Sequence, residues 1–306
     1  MSKPFHHIYF LILCSLILFS GFTDGLTQEH DHEGSDMLGL NFSEGWFEPY
    51  IHSHFSPDDT PMIHSFRAEP AFTQRDFIFD YSYRNETEGK EHEIEAEIEW
   101  ALTRRFGVII ETPYVFLDSD EESNADGFGN VAISPRVLLA EYERFLLAIG
   151  LEMELPTGTR AGDISEDRMA LAPSLSAWID LGNWWTVNAQ TGFETAVDRN
   201  DTVCFLRSAL LYTFASDDVR GTGRAHDDHD HPKSIALPPG LLTVILETDI
   251  EVGVAGAEDG RWSAEGIIGL SLGLSEKADI RAGYQFPLSN VQDLHGGLTC
   301  GIIYHF

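Results

Sequence analysis

Positive charge is what this sequence has least of. Its 306 residues carry 19 Lys and Arg against 50 Asp and Glu, a formal charge of −31. Binding to nucleic acid sets Lys and Arg against phosphate, so that partner is excluded. Cysteine is also scarce, three in all. Cys14 lies in an apolar leader, while Cys204 and Cys300 sit in separate strand-like runs on the apolar parity. No disulfide, redox pair or cysteine metal spacing is therefore expected, only two free, buried thiols. Long apolar runs are missing after the leader: no stretch approaches the roughly 20 apolar residues of a spanning helix. Lipid accepts only helices and closed sheets, so a membrane form of this chain must be a β-barrel.

The chain divides into three parts. Residues 1–25 read as a signal peptide: Lys3 at the start, an apolar core from Ile8 to Phe19, and small residues at Thr23-Asp24-Gly25 for cleavage before Leu26. Residues 26–72 show no sustained period. They combine His30 and His32, the aromatics Trp46, Phe47 and Tyr50, the pair His52 and His54, and Pro57 and Pro61. They read as a periplasmic extension, a docked helix or a plug in a lumen, and the residues leave all three open. From residue 73 to the end the chain alternates.

The alternation is strict. Phe77, Phe79, Tyr81 and Tyr83 oppose Asp80, Ser82 and Arg84. Ile94, Ala96, Ile98, Trp100 and Leu102 oppose Glu93, Glu95, Glu97 and Glu99. Glu and Ala also suit a helix, but alternation over about ten residues favours a strand. The rhythm repeats through Phe106–Phe116, Val131–Leu139, Phe145–Met153, Leu171–Ile179, Trp185–Phe193, Cys204–Phe214, Leu242–Val252, Trp262–Leu272 and Ile280–Phe286. Asp118–Asp126 reads as a solvated acidic loop, lacking the Gly and distal Glu of a calcium loop. A soluble sandwich would alternate too, but a closed core tolerates few unpaired carboxylates. The fold expected is all-β: one antiparallel transmembrane barrel of about twelve strands, an even number that suits a single bacterial chain.

The last residues, Thr299-Cys300-Gly301-Ile302-Ile303-Tyr304-His305-Phe306, put Cys300, Ile302, Tyr304 and Phe306 on one face. The segment resembles the terminal signal of bacterial outer-membrane barrels, with Thr299, Gly301, Tyr304 and Phe306 in its places. The resemblance implies the barrel-assembly machinery as a partner, outer-membrane lipid as surroundings, and the outer membrane of a Gram-negative-type bacterium as location. A second likeness lies mid-chain. Gly127-Phe128-Gly129-Asn130-Val131-Ala132-Ile133-Ser134-Pro135-Arg136, followed by a strand ending Leu155-Pro156-Thr157-Gly158, resembles the outer-membrane barrels filed as the meta-pathway phenol-degradation family. Membership implies a porin-like transporter of about twelve strands. Asn130 stands where that pattern has an acidic residue.

The polar parity supplies the lumen. Its acidic members are Glu93, Glu95, Glu97, Glu99, Glu111, Glu152, Glu154, Glu247, Asp249, Glu251 and Glu265, with Arg84, Arg136, Arg207 and Arg281 as counterweights. Carboxylate rings favour cations, so small solutes, cationic or organic, are the expected cargo. A closed, structural interior is the alternative. No Ser-His-acid grouping is legible, His295 and His305 lying near opposite ends of the last strand, so no enzyme is expected. No cofactor is required. A metal-handling alternative rests on His226-Asp227-Asp228-His229-Asp230-His231, whose imidazoles and carboxylates suit Zn, Cu or Ni. This His-rich loop, 215–238, follows the eighth expected strand. With the N-terminus in the periplasm, it falls on the periplasmic side, where turns are usually short.

Overall fold

The computed structural model describes residues 45–50, 53–56, 60–119, 123–142, 144–160, 164–197, 199, 201–214, 239–290 and 293–306. The leader and the 215–238 loop lie outside these residues. Thirteen strands follow in order: β1 (Arg75–Glu86), β2 (Gly89–Ala101), β3 (Phe106–Ser119), β4 (Ala125–Phe128), β5 (Val131–Tyr142), β6 (Phe145–Leu155), β7 (Ala170–Gly182), β8 (Trp185–Ala196), β9 (Thr202–Phe214), β10 (Leu242–Ala255), β11 (Trp262–Ser275), β12 (Ala278–Pro287) and β13 (Leu294–His305). Each long strand pairs antiparallel with the next, and β1 pairs with β13 to close the ring. β4 pairs only with β3, so it is a short spur and twelve strands make the barrel. The Glu93–Glu99 run lies in β2, not in a helix: paired on both sides, its alternation separates glutamates from apolar residues as no helix could.

One expectation changes at the spur. Residues 118–119 end β3 and 125–128 form β4, so the acidic stretch is partly an extended hairpin rather than all loop. Its ladder pairs Leu117 with Ala125 and Phe116 with Asp126, and the Tyr114 hydroxyl donates to Asp126 at 2.6 Å.

The apolar parity faces outward. Ile268, Leu270, Leu298 and Ile302 are each about half exposed, a surface that only lipid covers. Aromatics gather at both ends of this belt: Trp100, Trp185, Phe214 and Phe306 at the end holding the chain terminus, and Phe116, Phe128, Phe193 and Trp262 at the other. This face corrects the reading of the cysteines. Both are free, but Cys300 is exposed and Cys204 only half-buried. In a barrel the apolar parity is the outside, so burial there belongs to the bilayer.

The end where β1 starts and β13 stops is called the near end. Its turns are tight: Gly182, Asn183 and Trp184 all take positive φ between β7 and β8. Residues 60–72 run inside the barrel from this end and turn at Ser65–Ala68. There three backbone N–H groups, of Phe66, Arg67 and Ala68, converge on the Glu247 carboxylate at 2.8, 2.9 and 2.5 Å. Side chains reach the same segment from around the wall. Asn188 Nδ2 donates to the Ile63 carbonyl at 3.1 Å, Thr60 donates to Asp180 at 2.6 Å, and Arg281 donates to the Ser65 carbonyl. Phe66 lies over the inward positions of Gly269 and Gly283, and a Cβ at Gly269 would strike its ring.

Two apolar clusters seat this segment at the near end. Phe55 and Ile63 pack on Ala209, Leu211, Leu241 and Ile245, with Trp184 alongside. Met62, Ala71 and Phe72 pack on Leu138, Leu146, Ala148 and Trp178. The wall residues of both clusters lie on the inward parity, which the sequence marks as polar further along the same strands.

Candidate functional site: an acidic cavity in the barrel

Beyond the inner segment the lumen opens into a cavity of about 430 Å³. Ten carboxylates line it: Glu69, Asp80, Glu93, Glu95, Glu97, Glu111, Glu152, Asp249, Glu251 and Glu265. Four arginines face them: Arg67, Arg84, Arg207 and Arg281. A second space of about 240 Å³ shares Arg84, Glu251, Ser263 and Glu265 and extends along Glu86, Arg261, Trp262 and Asp293 toward the far end.

The strand period explains the ladder. Glu93, Glu95, Glu97 and Glu99 occupy successive inward positions of β2, and Glu97 stands opposite Glu111 of β3. On β10, Glu247, Asp249 and Glu251 do the same, with Asp249 between Arg207 of β9 and Glu265 of β11. The arginines pair with only part of this set. Arg67 meets Glu265 at 2.7 Å and Asp249 at 3.2 Å, Arg84 meets Glu265 at 2.8 Å, Arg207 meets Asp249 at 3.4 Å, and Arg281 meets Asp80. Among the described residues, Glu93, Glu95, Glu97, Glu111, Glu152 and Glu251 have no such ion pair. Glu69, Glu97 and Glu111 bring carboxylate oxygens within 4.8 Å of one another.

The other expected lumen residues lie around the inner segment or at the far end. Glu247 is taken up entirely by the Ser65–Ala68 turn. Glu99 meets Arg136 at 3.1 Å, and Arg136 also reaches Glu69 at 3.1 Å and the Pro70 carbonyl. Glu154 accepts from Asn130 Nδ2 at 2.8 Å, while the Asn130 oxygen accepts from Gly158 N–H at 2.9 Å. The Gly127–Asn130 and Pro156–Gly158 stretches therefore form one junction at the far end. Asn130 both donates and accepts there, which a carboxylate in its place could not do.

At the C-terminus, Thr299 faces inward, and Gly301 leaves room for the Asp80 carboxylate that pairs with Arg281. Tyr304 and Phe306 face out, 5.5 Å apart, with Trp100 5.6 Å from Phe306. The residues His226, Asp227, Asp228, His229, Asp230 and His231 lie outside the described ones.

Several site residues carry no sequence signal, because they come from the aperiodic segment. Arg67, Glu69 and His64 are the main ones. His64 Nε2 lies 3.1 Å from Asp76 and 3.8 Å from Glu99. Burial opposes its protonation, but the Glu99 and Asp76 carboxylates outweigh that and raise its pKa. Buried His, Asp and Glu also come together in two groups with metal-binding composition, His54-Asp76-His305 and His64-Asp76-Glu99.

No family model and no curated protein matches the chain. The fold is similar to that of an outer-membrane channel from Pseudomonas putida F1, with a TM-score of 0.54 at 12% identity, covering 80% of this chain and 100% of that one. It is also similar to the NanC porin, with a TM-score of 0.50 at 9% identity, covering 75% of this chain and 100% of that one. At these identities the likeness is one of fold alone, and it does not single out the phenol-degradation barrels. With its apolar outward belt and closed ring of twelve strands, the chain has the fold of an outer-membrane β-barrel.

Proposed function

We propose that the protein is an outer-membrane channel that passes small cationic or polar solutes through an acidic lumen, with the inner segment as a resident plug that narrows it. The observation that carries this reading is the imbalance in the cavity, ten carboxylates against four arginines. Within low-dielectric walls, such a surplus raises the local concentration of cations and repels anions. The two similar folds, one described as a channel and the other as a porin, support it. The resemblance of residues 127–136 and 155–158 to the phenol-degradation barrels extends the range of cargo to small organic compounds.

Planar bilayers test the proposal. Under a KCl gradient, the inserted protein should give a small conductance whose reversal potential favours K⁺. Anion preference, or no conductance from protein shown to be inserted, overturns it.

A second reading is metal handling through the His-rich loop. The strands on either side of that loop, β9 and β10, end and begin at the near end, where the inner segment enters. Binding of Zn, Cu or Ni there is tested by calorimetry on the parent chain and on a His226/His229/His231→Ala variant. Equal isotherms remove the loop as the site.

A further inference from the structure

The near end holds a cluster that takes no part in lining the acidic cavity. His54 comes from the inner chain, Asp76 from β1 and His305 from β13. One ligand-capable atom of each lies within 4.8 Å of the other two. All three are buried, with exposures of 1, 0 and 2%. His305 sets Nδ1 2.8 Å from Asp76 Oδ1 and Nε2 3.1 Å from Asp279 Oδ2. The His54 ring stands edge-on to that of His305, centroids 4.2 Å apart. Asp76 has its second oxygen on His64 Nε2 at 3.1 Å. The other oxygen of Asp279 is buried without a hydrogen-bond partner among the described residues.

This is the arrangement of a ligated imidazole with its supporting carboxylate. A metal-bound histidine commonly donates its second ring N–H to a carboxylate, which fixes the tautomer and orients the ring. Here Asp279 holds Nε2–H of His305 and leaves Nδ1 on Asp76. His64 likewise holds one oxygen of Asp76 and leaves the other facing the cluster. Two imidazoles and one carboxylate suit zinc and its neighbours. Calcium and magnesium take oxygen ligands instead. Ligands about 2.0–2.2 Å from one ion stand roughly 3–3.6 Å apart, so side chains already within 4.8 Å close on it by small rotations.

We propose that His54, Asp76 and His305 bind one divalent transition-metal ion of the zinc class, with water in the fourth position. On binding, the ion replaces the proton between His305 Nδ1 and Asp76 Oδ1, and that proton leaves to solvent. The ion ties the inner segment to the seam where the first and last strands close the barrel. The site is separate from the His-rich loop, and it does not depend on the channel reading.

The test uses full-length protein in detergent, stripped with chelator. His30, His32, His226, His229 and His231 are changed to Ala so that neither polar histidine tract contributes. Co²⁺ is followed by its visible d–d absorption, and Zn²⁺ by calorimetry and by protection of the inner segment from protease. One equivalent of Zn²⁺ should bind, with Co²⁺ showing four-coordinate bands. His54→Ala lies outside the strands, and its folding is checked by strand circular dichroism. It should abolish the bands and the protease protection. Asp279→Asn should weaken binding by about 10- to 100-fold while keeping the stoichiometry. No uptake by the loop-silenced protein, or equal uptake by folded His54→Ala, overturns the site.

Discussion

The two halves of the lumen are built on the same strands and have opposite chemistry. On β6 the inward residues run from Leu146 and Ala148 at the near end to Glu152 and Glu154 toward the far end. On β10 they run from Ile245 to Glu247, Asp249 and Glu251. On β9, Leu211 and Ala209 give way to Arg207. The near half is dry because chain fills it: Phe55, Ile63, Met62 and Phe72 bury what the wall presents. The far half is wet because none of the described residues fills it, and its carboxylates outnumber the arginines that could neutralise them. Glu247 marks the boundary. It is buried and acidic, and it is acceptable there only because three backbone N–H groups meet it.

The harshest way to break this contrast is to remove the filling. Deletion of residues 26–72 should turn the near half into an open apolar mouth. Single-channel conductance in planar bilayers should rise several-fold, with K⁺ preference retained, because the wall carboxylates remain. Unchanged conductance would mean that the inner segment does not narrow the path.

Glu247→Ala strikes the boundary. Three buried N–H groups lose a charged acceptor, a loss of about 3–5 kcal/mol. The thermal midpoint in detergent should fall, and protease should cut within residues 60–72. Leu211→Ala leaves a cavity in the dry half and should cost about 2–5 kcal/mol. Ile268→Ala, on the lipid face, should cost under about 1 kcal/mol, since lipid chains refill the space. Equal losses at Leu211 and Ile268 would deny that the near half is packed as a protein core. In the wet half, Glu93→Gln with Glu251→Gln should lower the K⁺ preference while leaving the thermal midpoint nearly unchanged.

Period and parity made the barrel legible. Twelve strands and the inward glutamates of β2 follow from alternation alone, and so does the outward belt. Parity says which side a residue faces but not what covers that side. Cys204 and Cys300 therefore read as buried, whereas lipid is what covers them. Nor does it say how deep a residue sits, so Leu138, Leu146 and Trp178 gave no sign of an apolar seat among polar neighbours. The inner segment was illegible for another reason. Residues 60–72 form no regular element, and their backbone groups are satisfied by wall side chains such as Glu247 and Asn188, far away in sequence. His54 joins the near-end cluster through the same long-range seating.

The smallest effect expected concerns sidedness. In a Cys204→Ser, Cys300→Ser background, which should shift stability by no more than about 0.5 kcal/mol, Asp230→Cys should escape an impermeant maleimide on intact cells. It should react once the outer membrane is permeabilised. Labelling on intact cells would put the near end, and the inner segment with it, outside.

The contrast between dry and wet halves is tested most directly along a single strand. In the cysteine-free background, Ile245→Cys and Glu251→Cys place thiols on the same inward face of β10, on either side of Glu247. Their reaction rates with cationic and anionic methanethiosulfonates of matched size are compared in detergent-solubilised protein. The thiol at 251 should react readily, and faster with the cationic reagent, while the thiol at 245 stays nearly inert to both. Similar rates at the two positions, or faster reaction of 251 with the anionic reagent, would contradict a lumen that is packed at one end and acidic and open at the other.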